Sequence, residues 1–285
     1  AECVGPLPNW PLLGVSLACL RAFVAAHQAQ LGDSATTEDV CERVVKPITE
    51  SAQASLAECV RRVGGASADG RPHVGAPTVF VSHARKYSFV DLIATIESHA
   101  AKQADPEGVY VWLDIFCQYQ HWLGDVGSER RWVNWDVVFQ LTIAAIGRTC
   151  FVLSPWKDPV PLKRAWMLWE ALSTLEAADA TLAVEVPPAE AASFERALLD
   201  DFESIAAAVG EIDSRAAECF TPDDTTMIHE AIERSVGHGD LNARMTGELR
   251  AWLVAAGEAA LERLPSAERG TSTLINNVGL MLQDQ

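Results

Sequence analysis

Residues able to do chemistry gather behind three short apolar runs. Ser82, His83 and Arg85 follow Thr78–Val79–Phe80–Val81. Asp114 and Phe116, then Gln120–His121–Trp122, follow Val109–Tyr110–Val111–Trp112–Leu113. Ser154 and Trp156 follow Thr149–Cys150–Phe151–Val152–Leu153, and Trp166, Trp169 and Glu170 come soon after. Carboxylates and imidazoles move protons or accept hydroxyl groups, and a guanidinium fork suits phosphate. Seven of the nine tryptophans lie between 112 and 169, where they either stack a planar ring such as a nucleobase or nicotinamide, or fill the core. The basic residues Arg85, Lys86, Arg130, Arg131, Arg148, Lys163 and Arg164 either form a local anion site or are solvated loop charges. His83, Asp114 and His121 match no zinc spacing, so no metal is assigned. The chain has no glycine-rich phosphate loop and no GxSxG elbow after a strand, which removes the main support for Rossmann, P-loop and α/β-hydrolase readings.

The elements that must position these residues read as alternating strands and helices. Strands are expected at 78–82, 109–113, 149–153 and 181–186, with helices at 89–103, 135–146 and 164–175 between them. Short, continuously apolar strands alternating with helices predict a doubly wound, flavodoxin-like α/β fold with a parallel sheet of four or five strands. Ligands bind such sheets at the carboxyl ends of the strands, which is where the residues above fall. Residues 1–64 read as an N-terminal helical segment. Within it one helix runs from Pro11, a second opens at Thr36–Thr37–Glu38–Asp39 and is interrupted by Pro47, and a third ends at Gly64. Residues 65–77 read as a linker, 78–187 as the α/β domain and 188–265 as a C-terminal helical region.

The formal net charge of −17 disfavours broad binding to nucleic acid or to anionic membranes. No apolar run reaches the roughly 18 residues that would span a bilayer, and none resembles a signal peptide. Seven scattered cysteines without CxxC spacing suggest free thiols in a reducing, intracellular compartment, most simply the cytoplasm.

The segments VFVSHARKYSF, VYVWLDIF, IGRTCFVLSPW and RAWMLWEALSTL together resemble the Toll/interleukin-1 receptor (TIR) domain in order and spacing over about residues 78–186. Ser82, Asp114, Ser154, Trp166 and Glu170 stand at the matching positions. The chain is also similar to a group of algal and protist proteins in which a TIR-like core precedes tetratricopeptide, kinesin-light-chain-like repeats. That group usually carries Trp where this chain has Arg85. TSTLINNVGLMLQDQ, at 271–285, looks like the first helix of such a repeat, which implies a longer natural protein.

The resemblance implies a signalling or assembly module that works through protein partners or self-association. It implies NAD as a substrate or nucleotide ligand, with no other cofactor required. If the chain is an NAD glycohydrolase, Glu170 is the catalytic carboxylate, a Trp wall stacks the leaving nicotinamide and Arg85 meets the pyrophosphate. Ser82, His83, Asp114, Gln120, His121, Ser154, Trp156 and Trp166 would complete the ligand site. A non-catalytic scaffold is the alternative, which tolerates Glu170 exposed or paired; without a role, Glu170 is an ordinary surface glutamate on an amphipathic helix.

Overall fold

A computed structural model describes residues 12–121, 134–210, 212–265 and 274–275. The chain divides into two compact units, Ala1–Phe151 with Ser173–Ala183, and Val152–Leu172 with Val184–Gln285. Six strands form one sheet: β1 (Gly14–Ser16), β2 (Val74–Gly75), β3 (Val79–Ser82), β4 (Tyr110–Trp112), β5 (Arg148–Val152) and β6 (Thr181–Glu185), in the order β2-β1-β4-β3-β5-β6. β3 pairs in parallel with β4 and β5. Hydrogen bonds from Thr181 N–H to Gly147 O and from Leu153 N–H to Glu185 O run β6 in the same direction as β5. The fold is thus α/β, with a mostly parallel sheet flanked by helices and compatible with a doubly wound topology. The order of the parallel strands reverses at β3, whose carboxyl end carries Ser82 and His83.

The four expected strands are β3 to β6, within one or two residues of their expected ends. β1 and β2 correct the reading of residues 1–64 as wholly helical and of 65–77 as a plain linker. β1 lies antiparallel to both β4 and β2, so the two stretches meet in the sheet. The helix expected from Pro11 starts later, as α1 (Leu17–Leu31), where the Ser16 side chain accepts a hydrogen bond from Cys19 N–H at 3.1 Å. The physical reason for the strand is close backbone approach at Gly14. A Cβ there would lie 2.8 Å from Pro77 Cα and 2.9 Å from Pro77 Cβ, a space only glycine leaves open.

The next helices are α2 (Thr37–Val40), α3 (Lys46–Thr49) and α4 (Leu56–Val63), with a π-helical turn at Cys41–Val45 joining α2 to α3. Thr36 and Asp39 close a capping box at the start of α2. Pro47 does not interrupt the helix as expected; it sits in the first turn of α3, after the π turn. Proline removes the bond that Arg43 O would otherwise accept, and the Gln30 side chain donates to that carbonyl instead, at 3.0 Å.

α5 (Phe89–Ala101), α6 (Asp114–Cys117), α7 (Trp135–Ile146) and α8 (Ala165–Glu176) alternate with the strands from β3 to β6. α7 has the bounds the sequence predicts and ends at Gly147 in the left-handed region. In the second unit, α9 (Pro188–Asp200), α10 (Phe202–Gly210), α11 (Pro222–Ser235) and α12 (Gly237–Arg263) pack together. α12 buries Leu241, Met245, Leu249 and Leu253 at four-residue spacing, and Trp252 stacks on Phe194 with ring centroids 5.2 Å apart. The repeat helix expected at 271–285 lies outside the described residues except for 274–275. No helix among the described residues is long and apolar enough to cross a membrane.

Candidate functional site

Of the residues singled out in the sequence, Ser82, His83, Arg85, Asp114, Gln120 and His121 belong to the first unit, and Ser154, Trp156, Trp166 and Glu170 to the second.

In the first unit, the ends of β3 and β4 deliver one connected polar network. Asp114 starts α6 directly after β4, and its Oδ1 accepts from Ile115 N–H at 2.7 Å. Its Oδ2 accepts from Arg85 Nε at 3.0 Å and from Arg85 Nη2 at 2.9 Å. Arg85 Nη2 also donates to Gln120 Oε1 at 3.1 Å, and Gln120 Nε2 donates to the carbonyls of Asp114 (2.8 Å) and Gln118 (3.1 Å). Both ends of the Gln120 amide are used, so it straps the loop after α6 to the Arg85–Asp114 pair. His83 Nε2 lies 3.9 Å from Asp114 Oδ1 and has no hydrogen-bond partner. His83 also bonds backbone at Val81, so that bond must use Nδ1 and leaves Nε2 as the bare acceptor.

Two parts of this network come from the N-terminal helices and were not anticipated. Glu38 on α2 accepts from Arg85 Nη1 at 3.2 Å. Cys41, in the π turn, points its thiol at Gln120 Oε1, 3.3 Å away. The backbone explains their placement. Glu38 N–H donates to Arg85 O, Thr37 N–H to Tyr87 O and Phe89 N–H to Ala35 O, each at 2.9 Å. Residues 35–38 therefore clamp the turn that follows β3. The capping box at Thr36 was a legible signal for where α2 starts, but no sequence signal says that this turn meets Arg85. His121 faces away from the cluster: its Nε2 is 3.0 Å from Thr49 Oγ1, which donates its own proton to Val45 O at 2.7 Å, so His121 carries its proton on Nε2.

Electrostatics follows from these contacts. The Asp114 carboxylate raises Arg85 above its already high range. Burial works against an ionised Asp114, but Arg85, His83 and the hydrogen bonds outweigh it and hold the carboxyl below its usual range. Burial lowers His83, against a smaller opposing pull from Asp114, so the imidazole is neutral near pH 7. Burial pushes the Cys41 thiol up to about 12, which makes it a poor nucleophile. Arg85, the residue expected to meet a pyrophosphate, makes four hydrogen bonds within the chain, to Asp114, Gln120 and Glu38.

In the second unit, Ser154 donates its hydroxyl to Glu190 Oε1 on α9, and Trp156 N–H donates to Glu190 Oε2 at 2.9 Å. Glu190 is a further residue the sequence did not single out. Trp156 is buried, packs edge-on to Phe194 and donates its indole N–H to Ser193 Oγ at 3.0 Å. Trp112, in the first unit, stacks on Phe80 at 4.8 Å within the core. These two tryptophans are packing, not an aromatic wall. Trp122 and Trp132 lie outside the described residues, as do Arg130 and Arg131. Glu170 is only 8% exposed, which overturns its reading as an ordinary surface glutamate.

Two of the other basic candidates are paired within their own units. Arg148 donates to Gln103 at 2.7 Å, and Lys163 pairs with Asp158. No group of three or more His, Cys, Asp or Glu residues among those described is placed to hold a metal ion, and His121 is turned to Thr49 rather than to Asp114. Comparison with protein-family models, curated proteins and solved structures finds no match to this chain.

Proposed function

We propose that the chain is a TIR-like signalling and assembly module that binds a nucleotide of the NAD class at the carboxyl ends of its strands, with Glu170 as the carboxylate that would cleave it. The observation that supports this most is the convergence of His83, Arg85, Asp114 and Gln120 behind β3 and β4, where an open parallel sheet binds ligands. A carboxylate withdrawn from solvent, as Glu170 is, suits an oxocarbenium-like transition state better than a solvated one.

A second reading, a non-catalytic protein-interaction scaffold, is favoured by one specific observation: Arg85 and Asp114 already satisfy each other and Gln120 within the chain. The discriminating experiment is nicotinamide release from NAD by concentrated protein, repeated on a crowded or cross-linked sample to promote self-association. The glycohydrolase reading expects turnover that falls by about 100-fold or more in Glu170→Gln, the loss typical of a key electrostatic group. Equal turnover in that variant, or none from assembled parent protein, leaves the scaffold reading standing.

A further inference from the structure

We infer that Glu38 is the gate of the strand-end site: its carboxylate occupies the face of Arg85 that a phosphate-bearing ligand would use, and such a ligand binds by exchanging with it. This inference rests on the nucleotide-binding reading for its biological meaning, but not for its geometry.

The partners of Arg85 are unequal. Asp114 receives two N–H groups through one oxygen and its side chain is 17% exposed. Glu38 receives one, at the longest of the four distances, and is 46% exposed, while the Arg85 side chain itself is 38% exposed. Ion pairs between half-exposed groups contribute little and are screened by salt, whereas removing a partner from a buried pair is costly. The exchangeable partner is therefore Glu38. Among the described residues Arg85 Nη1 bonds Glu38 alone, so displacing it frees the Nη1 edge of the fork for phosphate oxygens.

The exchange asks little of the fold. Glu38 is held by its backbone, through Glu38 N–H to Arg85 O, and the flanking bonds at Thr37 and Phe89 hold the turn in place. Rotation of the Glu38 side chain opens the face while the clamp stays closed. A second observation shows that the network is not saturated by its own chain. His83 Nε2 has no hydrogen-bond partner although its side chain is only 3% exposed, and it lies on the same carboxylate that holds Arg85. A buried acceptor left open beside a carboxylate takes a donor such as a ligand hydroxyl, so it is a position for the sugar of a phosphate-bearing ligand and not for the phosphate itself.

The counts of charge set the direction. With His83 neutral, Arg85 faces two carboxylates, Asp114 and Glu38, so the site as it stands repels an anion. Neutralising Glu38 removes both the competitor and the repulsion, and leaves Arg85 and Asp114 in balance. The same gate discriminates among ligands: it admits groups that bind a guanidinium more strongly than a carboxylate does, such as a diphosphate, and rejects singly charged anions.

The test is titration of inorganic pyrophosphate into the full chain by calorimetry at low ionic strength, comparing the parent with Glu38→Gln and Glu42→Gln. Glu42 pairs with Lys46 on the same segment and controls for loss of one negative charge elsewhere. Glu38→Gln is expected to bind pyrophosphate about ten-fold more tightly than Glu42→Gln, and added Arg85→Lys, which keeps the charge but loses the fork, should cancel most of the gain. Equal affinity in Glu38→Gln and Glu42→Gln overturns the gate, and so does a gain that survives Arg85→Lys. NAD binding by the parent is read separately. NAD binding without a Glu38 effect removes the gate and keeps the nucleotide reading, whereas a Glu38 effect on pyrophosphate without any NAD binding keeps the gate and removes the nucleotide.

Discussion

Asp114 ties three parts of the site together: its side chain holds Arg85 with one oxygen and Ile115 N–H with the other, and its backbone carbonyl holds Gln120. Asp114→Asn keeps the shape but replaces one acceptor oxygen with an NH2 donor and removes the charge that faces Arg85. Loss of a fully buried partner costs about 3–5 kcal/mol, and the partial exposure of Arg85 reduces this, so about 2 kcal/mol is expected. A urea midpoint measured for parent and variant checks it, and a change under about 0.5 kcal/mol would mean the pair is solvated in solution. The strand-end rule located Ser82, His83, Arg85, Asp114 and Gln120 from sequence alone, because residue type and position after an apolar run suffice for that. It could not find Glu38 or Cys41, since their approach depends on a contact across 47 and 79 positions of chain. Nor could it find that Trp112 and Trp156 are core, because an aromatic after a strand looks alike whether it packs or waits for a ring.

The strands were legible as elements where they were continuous and β-branched, and hidden where they were short and rich in glycine. β1 and β2 have three and two residues, and their pairing is what makes them strands at all. Pro47 was misread for a related reason: the rule that proline ends a helix assumes that the orphaned carbonyl has no other donor, and Gln30 supplies one. The role of the two short strands can be tested through Gly14. In Gly14→Ala the new methyl would meet Pro77 backbone at 2.8 Å, which cannot yield as a flexible side chain would. Overpacking of this kind costs about 1–3 kcal/mol, and the cost should appear as earlier exchange of the amides of β1 and β2, read by hydrogen–deuterium exchange. An unchanged exchange pattern would show that these strands contribute little to holding the N-terminal helices against the sheet. The site depends on that attachment, since the same segment brings Glu38 and Cys41 to Arg85.

Across the molecule, the excess of acidic groups and the buried histidines act in opposite directions as the pH falls. The net charge of −17 means self-repulsion that protonation relieves, a gain for the compact state. His83 in the first unit and His238 in the second act against it. Each is lowered from its ordinary value of 6.5, in both cases by burial first. His83 feels Asp114 pulling its value up and Arg85 pushing it down. His238, bonded to Ser214 Oγ at 2.7 Å, feels His229 and Arg215 lowering its value and Glu233 and Asp213 raising it. A group whose folded value is depressed contributes stability that is fully present above the unfolded value and declines as the pH drops below it, because the unfolded chain takes up the proton first. Stability from these two histidines is therefore complete above pH 6.5 and lost below it, and that from Asp114 is lost in turn below its ordinary 3.8. In about 0.5 M salt, where the screening length is only about 4–5 Å, the repulsion term is suppressed and the histidine term should stand alone. The urea midpoint should then decline from pH 7 to pH 5.5, and the decline should shrink in His83→Gln and again in the double variant with His238→Gln. A profile equally steep in parent and double variant would assign the acid sensitivity to other groups and would remove the neutral imidazole from the description of the strand-end site.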